Sequence, residues 1–200
     1  MSGPGATVLL PRPFTDADMR DLSKIVSAVS ERASGPPAVV SAFSACDTTS
    51  IGGKYVGEGR PFAIELNVDV EKIEMASHAS ELASAFGVEP EAELVTLAFC
   101  SQSSDHQILG EITLALAERF GGVIDYGGAL WPLLPPGLRI DDHPDWHEIE
   151  PYFERAVSDM PGKVISVVDV LPHVPPWPSH VSDAVFLRAW IEDSRFQMVK

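Results

Sequence analysis

The unit DHQILGEITLALAERFGGVIDYGG at residues 105–128 constrains the fold of this chain more than any other stretch. Leu109, Ile112, Leu116 and Phe120 recur at spacings of three and four, which predicts a helix from Asp105 to Phe120 with one apolar face. Gly121-Gly122 stops it, because glycine accepts the left-handed conformation that ends helices. Val123-Ile124-Asp125-Tyr126 then reads as a short strand, closed by Gly127-Gly128. So tight a connection leaves no slack, so helix and strand must pack directly on one another. The chain is therefore expected to layer helices on a sheet.

The upstream pattern extends this plan. Residues 6–11, ATVLLP, read as a buried strand. Thr15 reads as a helix N-cap, with Asp16 and Asp18 in the first turn, where carboxylates favour the helix dipole. Met19, Leu22, Ile25, Val26 and Val29 form one apolar face, and Gly35-Pro36-Pro37 ends that helix. Residues 38–44 read as a strand. After the glycine-rich stretch at Gly52, Gly53, Gly57 and Gly59, Phe62, Ile64, Leu66 and Val68 alternate as strand residues do. A helix over 71–86 and a strand over 93–100 complete a β-α-β-β-α-β order, the ferredoxin-like plan.

Downstream, residues 129–148 read as an irregular loop rich in proline, tryptophan and acids. A short helix over 147–158, a strand KVISVVDVL over 163–171 and a proline-rich connector over 172–180 follow. Ser182 and Asp183 open a last helix with Phe186, Leu187, Trp190 and Ile191 inward, and FQMV near the end reads as an edge strand. The expectation is a single α+β domain over residues 1–200. It has an antiparallel or mixed sheet of about six strands, with helices mainly on one face. Two half-repeats, each with its own sheet, are the alternative, and the pairing of KVISVVDVL decides between them.

Acids outnumber bases 29 to 14, for a net charge of −15. Such a chain repels phosphate backbones and anionic lipid, which argues against nucleic-acid and membrane-surface partners. Basic proteins and metal cations stay open. Two cysteines, Cys46 and Cys100, are too few for a disulfide scaffold. No apolar run is long enough to span a membrane, and MSGPGATVLLPRPF lacks the pattern of a signal peptide, so a cytoplasmic location is expected.

Candidate chemistry is sparse. DDHPDWHE places His143 and His147 four apart beside Asp141, Asp142, Asp145 and Glu148. That spacing suits two metal ligands on one helix face, but Pro144 stands between them, and the HExxH pattern is absent. A solvated acidic loop is the simpler reading. His173 and His180 flank VPPWPS, which is either a recognition loop with Trp177 at its tip or a stiff connector whose tryptophan packs back. Asp105-His106 could form half of a catalytic triad, yet no serine sits in a GxSxG elbow, and helix capping by Ser104 or Asp105 explains the segment more simply. Gly52-Gly53-Lys54 fails the spacing of a phosphate loop and reads as a hairpin turn. Asp125, an acid inside a short apolar strand, is either functional or a strand-end carboxylate capping nearby N–H groups. No motif calls for a cofactor.

Three phrases, VLLPRPFTDADMRDL, the 105–128 unit and HVSDAVFLRAWIEDSRFQMVK, together resemble an uncharacterised family of actinobacterial proteins known as a domain of unknown function. The resemblance spans most of the chain and brings no catalytic residues. In size and character the chain is immunity-protein-like, an analogy of class. The leading expectation is thus a non-catalytic acidic interaction protein that binds and neutralises a basic toxin domain. Its binding residues would be Asp141, Asp142, Asp145, Trp146, Glu148, Glu150, Tyr152 and Trp177, aromatic anchors within an acidic rim. The alternatives are a metal-dependent enzyme using His143 and His147, and a ligand-sensing or scaffold domain. A homodimer is compatible with each.

Overall fold

A computed structural model describes residues 3–30, 40–69, 73–134, 146–169 and 177–199. Its strands are β1 (Gly5–Leu10), β2 (Val40–Asp47), β3 (Val56–Asn67), β4 (Ala92–Ala98), β5 (Val123–Asp125), β6 (Val164–Asp169) and β7 (Trp177–Ser182). Its α-helices are α1 (Asp16–Val29), α2 (Ala79–Phe86), α3 (Ser103–Phe120), α4 (Trp146–Val157) and α5 (Ala184–Glu192). The strands form one seven-stranded sheet in the order β2-β3-β4-β1-β5-β7-β6. Every neighbouring pair is antiparallel.

This order corrects the ferredoxin-like start. In that plan β1 lies between β3 and β4. Here β1 lies between β4 and β5, and β4 separates it from β3. The cause is the helix–glycine–strand unit. α3 packs over β1, and Gly121 (φ +71) ends it, donating its N–H to Ala117 O at 2.9 Å. β5 must then drop beside β1, pairing Val8 with Ile124. Because β6 joins β7 and β7 joins β5, the sheet is continuous, and the two-half-repeat alternative does not hold.

Local chemistry explains the helices. Thr15 caps α1 by accepting from the Asp18 N–H, and Asp18 returns the bond to the Thr15 N–H at 2.9 Å. Arg12 grips the same carboxylate at 2.6 and 2.8 Å, which holds it below the usual carboxylate range. The hairpin expected at the glycines joins β2 to β3 through a 3-10 turn at Thr49–Ile51, with Gly52 at φ +87. β3 starts earlier than the alternating run suggests.

Alternation along β1 divides the core. Val8 and Leu10 face the main cluster with Leu22 and Val26 of α1, Ile108, Ile112 and Leu116 of α3, Ile149 and Phe153 of α4, and Leu187 and Trp190 of α5. Leu9 faces the other way, with Val123, Val167, Val181 and Leu82 of α2. Four helices thus share one side and α2 takes the other.

Three further expectations change. The connector over 172–180 runs into β7 from Trp177 onward. Pro178 is tolerated there because β5 reaches only Val181 and Ser182, so no ladder bond on that side needs its missing N–H. The loop over 129–148 contains a 3-10 turn at Trp131–Leu133 and the first residues of α4. FQMV forms no strand. Instead Met198 is buried, its N–H donates to His106 Nδ1 at 3.1 Å, and Val199 O accepts from the Gly5 N–H.

Candidate functional site

α4 carries most of the candidate binding residues that the structure describes. Trp146, Ile149 and Phe153 recur at spacings of three and four and turn inward. The opposite face presents His147, Glu148, Tyr152, Glu154 and Arg155 to solvent, with Glu150 partly exposed beside them. Tyr152 is 50% exposed. His147 Nδ1 lies 4.0 Å from Glu150 Oε2. Pro151 sits inside the helix and leaves the His147 carbonyl without its intrahelical donor. Both residues are exposed, so water can satisfy that oxygen.

The inward face is held by an aromatic stack. The Phe153 ring lies over His180 of β7 with centroids 3.6 Å apart and planes 13° from parallel. Trp146 tilts against the same imidazole at 5.4 Å and meets Trp131 edge-on at 6.3 Å. His180 Nδ1 accepts from the Leu130 N–H at 2.8 Å, which ties the 129–134 turn to β7. Burial lowers the imidazole to about 3, so the ring is neutral, with its proton on Nε2.

The remaining expected site residues divide plainly. Asp141, Asp142, His143 and Asp145 lie outside the described residues. Trp146 belongs to the core and offers no surface. Trp177 opens β7 opposite Asp169. Of the proposed metal pair, His147 stands exposed on α4. Among the described residues no three His, Cys, Asp or Glu side chains come together as a metal group.

Three buried polar groups that the sequence singles out, Asp125, Asp105 and His106, have structural partners. Asp125 Oδ1 accepts from the Gly127 N–H at 2.9 Å and from Ser179 Oγ at 2.7 Å, the strand-end capping reading. Asp105 caps α3 by accepting from the Gln102 N–H, and it also accepts from Nε and Nη2 of Arg60. Ser101 Oγ lies 3.4 Å from His106 Nε2, which resembles a nucleophile–base pair. But His106 Nδ1 accepts from the Met198 N–H, so the neutral ring carries its proton on Nε2. A base for Ser101 needs a lone pair on that nitrogen. The imidazole instead holds the C-terminal segment against α3.

A family model described as a family of unknown function (DUF6368) matches residues 2–200. The chain belongs to DUF6368. Neither a curated protein nor a solved structure matches it. Residues in this DUF6368 chain that the sequence reading passed over include Glu111. From inside α3 its carboxylate accepts from Thr48 Oγ1, the Lys54 N–H at 2.8 Å and Gln107 Nε2 at 2.8 Å. It pins the β2–β3 turn to the helix. Its position beside Ile112, within an otherwise buried helical stripe, was the available signal. Arg60 carried none, since its partner is distant in sequence.

Proposed function

We propose that this DUF6368 chain is a non-catalytic, acidic interaction protein of the immunity type, working in a bacterial cytoplasm. It would bind a basic protein domain, such as that of a toxin nuclease, and neutralise it. The observation that carries this reading is the outward face of α4. There the half-exposed Tyr152 stands one turn from Glu148 and Arg155, with Glu150 and Glu154 on the other flank of the same helix, an aromatic anchor on a mainly acidic helix. The stack on His180 fixes the helix, so little entropy is lost when that face is engaged.

The charge distribution supports the same reading. Arg12, Lys54, Arg60, Arg119, Arg188 and Arg195 each pair with a carboxylate of this chain. Much of the scarce positive charge is thereby consumed internally, and the excess acid is left to face outward. Such a field accelerates encounter with a cationic partner.

The test compares capture by the native chain with capture by a Glu148→Lys/Glu150→Lys/Glu154→Lys variant and by Tyr152→Ala. The reading expects one basic protein, held at stoichiometric yield, released by salt, and lost from both variants. A partner without a basic surface, or one that the charge-reversed variant holds equally well in high salt, overturns it.

A further inference from the structure

An open sheet has two edges, and each leaves a row of unpaired backbone groups that invites another strand. The two edges of this sheet are built differently. β2 is blunted. Its register shifts between Ala45 and Asp47, and Ser30 at the end of α1 bridges Ala45 from the side away from β3. Cys46 Sγ and Ser50 Oγ add bonds to the Val29 and Ala28 carbonyls. β6 has none of these protections. It pairs with β7 without a register shift from Val164↔Ser182 to Asp169↔Trp177. Its sequence VISVVD contains no proline, no lysine and no charge before its last residue. Among the described residues no strand covers its outer side.

We propose that β6 is a self-pairing edge, through which two copies of this chain join antiparallel about a two-fold axis into one continuous sheet. The axis stands perpendicular to the sheet, so each face stays on its own side and opposed residues must lie on the same face. That excludes a register centred between Ser166 and Val167, which would set the main-core face against the α2 face. Centring on Val167 opposes Ile165 to Asp169, an apolar residue to an acid. Centring on Ser166 opposes Val164 to Val168 and Ile165 to Val167, both β-branched pairs that sheets favour. It also sets Lys163 opposite Asp169 at both ends of the contact, so charge selects this register.

Two features make room for it. The Lys163 ammonium donates to Ala85 O at 2.6 Å, which uses one of its three donors. The groove between α2 and β6 is lined by Ser80, Ser84, Ala85, Ser166 and Ile165 together with the charged Glu81 and Lys163, beside the face where the partner's apolar pair would lie. A single strand pair covers less than the ~800 Å² per partner typical of stable complexes, so the dimer is weak, with Kd of order 10–100 μM. This contact is separate from the α4 surface and stands or falls independently of it.

Sedimentation of the full chain from about 5 to 500 μM, a range bracketing that Kd, tests the proposal. A monomer–dimer equilibrium is expected. Lys163→Asp alone and Asp169→Lys alone each turn two attractive pairs into two repulsive ones and weaken association roughly tenfold or more. An equimolar mixture of the two variants restores both pairs and gives a heterodimer of near-native affinity. Hydrogen exchange at Ile165–Val168 in the unaltered chain provides a readout without variants, and it should slow as concentration rises. A chain that stays monomeric throughout overturns the proposal. So does a dimer that both single variants leave intact, a mixture that fails to associate, or exchange at β6 that ignores concentration.

Discussion

Replacing Arg60 by methionine isolates a nearly buried ion pair that joins the β2–β3 hairpin to α3. The Asp105 side chain is 1% exposed and that of Arg60 19%. Arg60 Nε and Nη2 donate to the two carboxylate oxygens at 2.7 and 2.8 Å, and the Gln102 N–H adds a third bond at 2.7 Å. The guanidinium holds the Asp105 carboxyl below its ordinary value, against the opposing effect of burial. Methionine keeps most of the stem and removes the charge, leaving a carboxylate in the interior with only its capping bonds. Breaking a buried pair from one side costs about 3–5 kcal/mol, and the surviving cap places Arg60→Met near the lower end, at about 3 kcal/mol. Asp105→Asn should cost about 1–2 kcal/mol, and the double variant about the same as Asp105→Asn, a coupling of about 3 kcal/mol. Urea unfolding followed by tryptophan fluorescence reads this directly. At a slope of about 2 kcal/mol/M, the Arg60→Met midpoint falls by about 1.5 M. Because the folded Asp105 pKa is lowered, the pair stabilises fully above the ordinary carboxylate value. It loses its effect as pH falls below about 4 toward the folded value, so the cost of Arg60→Met must shrink there. Additive losses in the cycle, or a cost that does not depend on pH, would refute the reasoning.

Two other outcomes are expected. His180 titrates at about 3 when folded against 6.5 unfolded, so the unfolded chain binds more protons in that window. Its contribution is complete above pH 6.5 and is lost by about 1.4 kcal/mol per unit as pH falls toward 3. His180→Asn keeps an acceptor for the Leu130 N–H and should flatten that part of the pH–stability profile; an unchanged slope argues against the assignment. Gly162 has φ +91, and a Cβ there would meet the Phe186 nitrogen at 2.2 Å, whereas Gly87 at φ +70 opens onto free space. Gly162→Ala should therefore lower Tm clearly more than Gly87→Ala, which costs only about 1 kcal/mol of left-handed strain; equal losses would contradict the packing.

The aromatic stack shows why part of the candidate site was legible in sequence and part was not. Ile149 and Phe153 have helical spacing, so an inward face for α4 followed from periodicity. The tryptophan of DDHPDWHE looked like a surface anchor because its neighbours are acids. It turned inward because it occupies the same helical stripe as Ile149 and Phe153, and His180 waits there. His180 itself sat in a proline-rich run that resembled a connector. Proline is rare inside strands, and only the short reach of β5 makes Pro178 harmless. Asp105-His106 has the composition of a catalytic pair, and only the Met198 amide reveals which nitrogen is protonated.

What the residues determined on their own is set by local physics. The helix over 105–120, its stop at Gly121, the Thr15 cap and the alternation of Phe62, Ile64 and Leu66 along β3, though not of Val68, which lies exposed past its end, depend on spacings of two to four residues and on backbone freedom, so they are written along the chain. The net charge of −15 is equally indifferent to fold. Strand order was decided only in three dimensions. β3 and β5 both fit beside β1 by pattern, and the place went to β5 through the packing of α3 over β1 and the short Gly121-Gly122 connection. The pairing of Arg60 with Asp105, the seat of Glu111 under the β2–β3 turn and the place of β6 at the end of the sheet order also belong to tertiary structure. Each joins segments far apart in sequence, and no local preference encodes such a meeting.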